Sequence, residues 1–176
     1  QRRVVHRECG SFFTKRSDWY GLSERLAEGG RLLKEKVEIV LRSVQRNEEE
    51  ENETELRTEG RYEYTEKEWY VSYEESEATG FEGSTTEITG TDGRWVSIVR
   101  TGSANSNLMI EVGKKHYCLY GTPFGDITVG IFTHKIEDHL TADGGRLYLR
   151  YTLDANASFL SDNEIYLEIF RAKQEA

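Results

Sequence analysis

The chain has one proline, two cysteines, one methionine and no long apolar run in its 176 residues. Each shortage excludes something. Cys9 lies in the leader and Cys118 in a strand-like run, so neither a disulfide framework nor a paired-cysteine metal motif is implied. No segment approaches the roughly 20 apolar residues that a spanning helix needs. The arginines near the start are not followed by the apolar stretch of a secretory signal. A cytoplasmic location is therefore the expectation, and no membrane is expected as a partner. The glycosylation-type triplets Asn52-Glu53-Thr54 and Asn156-Ala157-Ser158 carry no weight in that compartment. GxSxG, HExxH and phosphate-loop patterns are missing as well, so the reading is of a non-enzymatic chain with no cofactor and no metal.

What the chain does have is aromatic and turn-forming residues: ten Tyr, seven Phe, three Trp and sixteen Gly. Aromatics fit a half-buried pleated surface, and hydrophobic residues at 36% argue for a folded domain. Charge is unevenly divided. Residues 1–33 hold seven basic side chains (Arg2, Arg3, Arg7, Lys15, Arg16, Arg25, Arg31) and four acidic ones (Glu8, Asp18, Glu24, Glu28). The remainder is left with 16 basic and 28 acidic side chains, a net of −12. So acidic a domain repels phosphate backbones, which disfavours nucleic acid as a partner.

From Glu35 onward apolar residues alternate with polar ones, the period of a strand. Val37, Ile39 and Leu41 share one face. Leu56, Thr58, Gly60, Tyr62 and Tyr64 share another, and the run Glu48–Glu53 between them reads as a solvated hairpin loop. The alternation continues through Trp69, Val71, Tyr73 and Glu75, then Ser84, Thr86 and Ile88. Asp92-Gly93 is a hairpin signal, leading into Val96, Ile98 and Arg100. Leu108 and Ile110 follow, then a turn at Val112-Gly113-Lys114, then Tyr117 and Leu119. Thr122-Pro123-Phe124-Gly125 breaks the run. Beyond it come Ile127, Val129, Ile131 and Thr133, a turn at Asp143-Gly144-Gly145, then Leu147, Leu149, Tyr151 and Leu153, and finally Ile165, Leu167 and Ile169. About ten short strands with connections too short for crossover helices imply antiparallel neighbours. The expected class is all-β: a single closed antiparallel barrel over residues 34–170 with a tail at 171–176. A two-sheet sandwich is the alternative.

Several strings within this region resemble the YwiB-like family of small bacterial calycin-type barrels. They are Thr58-Glu59-Gly60-Arg61-Tyr62, Tyr70-Val71-Ser72-Tyr73-Glu74-Glu75, Thr79-Gly80-Phe81-Glu82-Gly83-Ser84-Thr85, Arg100-Thr101-Gly102, Met109, Tyr120-Gly121-Thr122-Pro123-Phe124-Gly125 and Asp143-Gly144-Gly145-Arg146-Leu147. The resemblance implies a lipocalin-like barrel and supplies no activity or site residues.

Candidate site residues are the polar side chains that fall on the apolar face: Tyr73, Glu75, Arg100, Thr133 and Tyr151. A buried charge costs several kcal/mol unless it is paired and hydrogen-bonded, and Glu75 is the acid in phase to pair with Arg100. Two readings follow. In one, Arg100 is a lumenal anchor whose guanidinium fork holds a small anionic amphipathic ligand. In the other, Glu75 and Arg100 satisfy each other inside a filled barrel, and the protein works through its outer surface as an interaction or assembly module. His116 and Cys118 share a strand face without making a zinc site. His134 and His139 fall on opposite faces of a strand without a bulge. The corner Tyr120–Gly125 is read as a tight turn.

Residues 1–33 form a leader, helical or disordered, with two readings. In the first it is upstream or tag-like sequence. Glu28-Gly29-Gly30 can be encoded by a ribosome-binding sequence, and Leu33 by a codon that serves as an alternative bacterial start. In the second it is an N-terminal helix, over about Trp19–Leu33, that caps the barrel. Because the alternating strands are complete without it, deletion of residues 1–32 is expected to leave a cooperatively unfolding all-β domain. Circular dichroism during thermal melting measures this, and a broad, non-cooperative melt of the shortened chain would place the leader in the core.

Overall fold

The computed structural model describes residues 35–91, 93–122 and 125–171. Both leader readings, the tail after Arg171, Asp92 of the hairpin signal and the Pro123-Phe124 pair lie outside the described residues. So do the side chains of the Tyr120–Gly125 corner. Ten strands follow one another: β1 (Glu35–Arg46), β2 (Glu51–Tyr64), β3 (Trp69–Glu74), β4 (Ser84–Thr91), β5 (Trp95–Gly102), β6 (Ser106–Glu111), β7 (Lys115–Thr122), β8 (Gly125–Thr141), β9 (Gly144–Ala155) and β10 (Ser158–Arg171). Each pairs antiparallel with its sequence neighbours, and β10 returns to pair with β1, so an up-and-down meander closes on itself. Closure through Ile39↔Ile169 and Leu41↔Leu167 gives a barrel in place of the sandwich alternative.

The alternation predicts the core because strand side chains point to opposite faces in turn. Val37, Ile39, Val71, Ile88, Val96, Ile110, Val129, Ile131, Leu147, Leu149, Leu167 and Ile169 are all less than 2% or at most 2% exposed. They occupy inward positions on eight of the ten strands, and Leu56 and Tyr62 of β2 with Cys118 of β7 complete the ring. Burial of each such side chain contributes about 1.5–3 kcal/mol. Polar side chains tie strands together at the ends of the barrel. At one end the Tyr62 hydroxyl donates to the Thr141 carbonyl at 2.9 Å, linking β2 to β8 across the barrel.

The structure corrects four details. The acidic loop is shorter than Glu48–Glu53: β2 begins at Glu51, because the Asn47 side chain accepts the N–H groups of Glu49 and Glu50 and tightens the turn. On β7 the inward residue is Cys118, 4% exposed, while Tyr117 is 42% exposed. An amphipathic tyrosine fits either face, so the phase of that strand was ambiguous in the sequence. Ile127, in phase with Val129 and Ile131, is nonetheless exposed. Finally, β8 carries a bulge. Thr133 pairs with Tyr151 and Lys135 with Arg150, which leaves His134 as the extra residue. An inserted residue reverses the phase of everything beyond it, so His139 lies outward with His134 instead of opposite it.

Candidate functional site

The polar cluster is built where β3 ends. The Glu75 N–H donates to the Ser84 carbonyl at 2.8 Å, prolonging the β3–β4 ladder by one residue. The chain then runs through a 3-10 turn, Glu77–Thr79, to Gly80 and Gly83, whose φ angles of 76° and 81° suit glycine. This excursion brings Thr79 and Phe81 back over Glu75 and Arg100. On the neighbouring strands Tyr73, Thr86 and Arg100 form one cross-strand row, from β3 to β4 to β5.

The Glu75 carboxylate is fully engaged. Its Oε1 accepts from the Thr86 hydroxyl at 2.5 Å and from Arg100 Nε and Nη2 at 3.2 Å each. Its Oε2 accepts from the Thr79 hydroxyl at 2.7 Å. The carboxylate side chain is 1% exposed and the arginine side chain 16%. The Arg100 guanidinium lies 3.7 Å from the centroid of the Phe81 ring, a cation–π contact that covers its outer side. Tyr73 is buried beside them. Burial, and then the Glu75 carboxylate, push its phenol well above the usual range, so the hydroxyl stays neutral. The arrangement joins three strands and a loop through one neutralised charge pair.

Of the five candidates, the structure brings together Tyr73, Glu75 and Arg100. Thr133 and Tyr151 sit elsewhere, opposite each other on β8 and β9. Thr133 is 1% exposed, and its hydroxyl accepts from the Glu111 N–H at 3.1 Å, tying β6 to β8 beside the bulge. Tyr151 is part of the core.

The sequence reading missed Asp138. Its Oδ2 accepts from the Trp69 indole N–H at 2.7 Å and from the Gly93 N–H at 3.3 Å. It therefore ties β3 and the β4–β5 turn to β8 from the far side of the ring. Simple alternation from Thr133 would point Asp138 outward, and the bulge at His134 turns it in. No residue type in that stretch announces the bulge. Thr79, Thr86 and Phe81 were also missed as partners, although Thr79-Gly80-Phe81 stood among the family-like strings.

Among the described residues no three His, Cys, Asp or Glu side chains gather as a metal site. His116 meets Glu111 at 3.0 Å, and His134 meets the Thr152 hydroxyl at 2.6 Å. Open grooves lie on the outer wall formed by the described residues. One of about 490 Å³ is bordered by Glu38, Asp143 and Phe170, and one of about 370 Å³ by His139, Tyr148 and Tyr166.

A family model described as a domain of unknown function (DUF1934) matches residues 39–167. A crystal structure of the ywiB protein from Bacillus subtilis superimposes with a TM-score of 0.69 at 19% sequence identity, covering 80% of this chain and 94% of that one. At that identity the likeness is one of fold, and it agrees with the resemblance read from the strings. No curated protein matches the chain.

Proposed function

Since the chain belongs to the DUF1934 family of domains of unknown function, we propose that it works as a filled barrel, an interaction or assembly module acting through its outer surface. One observation carries this reading. The guanidinium that would anchor a lumenal ligand is already bound by Glu75 and covered by Phe81, inside a ring of packed Ile, Leu and Val side chains. Opening the site to an anion would require breaking that pair and exposing a desolvated carboxylate, which disfavours binding. The outer wall is tiled with charge. Arg46 pairs with Glu51 and Glu164, Arg146 with Glu168, and Arg150 with Asp162. A membrane barrel instead presents an apolar band outward, so this wall suits aqueous partners.

The competing reading is a barrel that holds a small anionic amphiphile on Arg100. A thermal-shift series with laurate and dodecyl phosphate separates the two. A ligand of the folded state present at about a hundred times its dissociation constant adds about 2.7 kcal/mol of stability, a readily visible shift. The filled barrel is expected to show no saturable shift with either compound. A saturable rise that Arg100→Lys weakens would establish the lumenal site and overturn the proposal.

A further inference from the structure

Resting on that reading, we infer that the outer wall carries a specific contact surface for a second copy of this chain, an aromatic platform centred on Gly130. Tyr117 on β7, Gly130 on β8, Asp154 on β9 and Phe159 on β10 form one cross-strand row. Phe132, on the same outward face of β8 as Gly130, pairs with Lys115. A Cβ at Gly130 would lie 2.5 Å from Lys115 Cε and 2.8 Å from Asp154 Oδ1. The absence of a side chain there is what lets Lys115 lie across β8 and meet Asp154 at 2.6 Å. The result is a low ion pair flanked by Tyr117, Phe132 and Phe159, which are 42%, 41% and 47% exposed. Leu160, at a register shift in β10, extends the apolar rim and is 39% exposed.

Charge selects the occupant. The chain carries a net −9, and a basic partner is drawn first to the acidic Glu48–Glu53 rim, not to this platform. An acidic partner is repelled unless it docks through a face that is locally neutral. The platform is such a face, and it carries one charge of each sign. It can therefore meet its own copy about a two-fold axis, with Lys115 of each copy facing Asp154 of the other, as an isologous interface requires. Aromatic side chains around a central pair match the anatomy of interface cores. Four strands spaced ~4.8 Å apart span only about 15–20 Å. A patch of that width covers about 200–400 Å², less than the ~800 Å² per partner of a standard stable interface, so the association is weak and concentration-dependent.

The test is sedimentation equilibrium of the full chain from about 1 µM to 1 mM, with circular dichroism to verify folding. Reversible dimerisation with a dissociation constant of roughly 10 µM to 1 mM is expected, and Phe132→Ser should weaken it at least tenfold. Lys115→Asp and Asp154→Lys should each abolish self-association, and mixing these two variants should restore a heterodimer, because every facing pair then has opposite signs. A wild-type chain that remains monomeric at 1 mM overturns the inference, as does a mixture that fails to associate while both variants are folded. Either result leaves the filled-barrel proposal standing, since that proposal is decided by the amphiphile series.

Discussion

Replacing Arg100 by leucine is expected to destabilise the protein by about 3–5 kcal/mol, because it leaves the Glu75 carboxylate buried without its counter-charge. For a domain of this size that lowers the melting temperature by roughly 6–20 °C. Thr79 and Thr86 still donate to the carboxylate, but hydroxyls do not neutralise it. Glu75→Leu should cost less than Arg100→Leu. The arginine side chain is 16% exposed against 1% for the glutamate, and its long stem can carry the guanidinium to water. The double replacement removes both charges and should be closer to the wild type than Arg100→Leu alone. A thermal or denaturant double-mutant cycle measures the coupling. Strictly additive losses would show that the pair does not hold these strands together.

The second large effect is expected at Trp69. Truncation to alanine should cost about 3–5 kcal/mol, the range for emptying a buried aromatic site. Trp69 is 3% exposed and reaches Asp138 on the far side of the ring. Trp69→Phe keeps most of the ring and deletes the indole donor, so its cost of about 1–3 kcal/mol measures the lost bond to Asp138, whose carboxylate keeps the Gly93 and Leu140 N–H donors. Gly90 lies directly under the indole, where a Cβ would approach Cζ2 to 2.5 Å. Gly90→Ala should therefore destabilise by about 1–3 kcal/mol through overpacking, and by less in the Trp69→Phe background. Equal losses from Trp69→Phe and Trp69→Ala would assign the whole effect to the Asp138 bond and none to packing.

The fold was legible because alternation is a one-dimensional signal, and it survives wherever strands are regular. Trp69-Val71-Tyr73 and Leu147-Leu149-Tyr151 were placed inward on that ground and are inward. The same rule paired Glu75 with Arg100, since a buried cation needs an acid in phase and nearby. It failed where the local rule is broken by one residue. The bulge at His134 is a matter of backbone pairing with β9, and it turned the half-buried Asp138 from the outer face that simple alternation gives it to the inner one. It also failed where a side chain is content on either face, as with Tyr117. Phe81 and Thr79 escaped because they belong to a loop, whose path depends on two glycines with positive φ and not on periodicity. Thr133 and Tyr151 shared the inward face with the charge pair, but a face shared around a ring of ten strands does not place residues side by side.

The pairing of β1 with β10 has a consequence for how the chain acquires its structure. Val37 meets Arg171 and Arg46 meets Asp162, contacts separated by more than a hundred residues of chain. Forming them carries the loop-closure entropy of nearly the whole domain, which places the protein among slow, high-contact-order folders. During synthesis β1 to β9 emerge as an open sheet whose first strand has an unpaired edge until the last strand leaves the ribosome. Unpaired edges of this kind recruit other strands. The charged outward side chains of that first strand, Lys36, Glu38 and Arg42, are gatekeepers of the sort that discourage edge-to-edge pairing. The meander thus exchanges a vulnerable nascent stage for a finished molecule in which both terminal strands are covered.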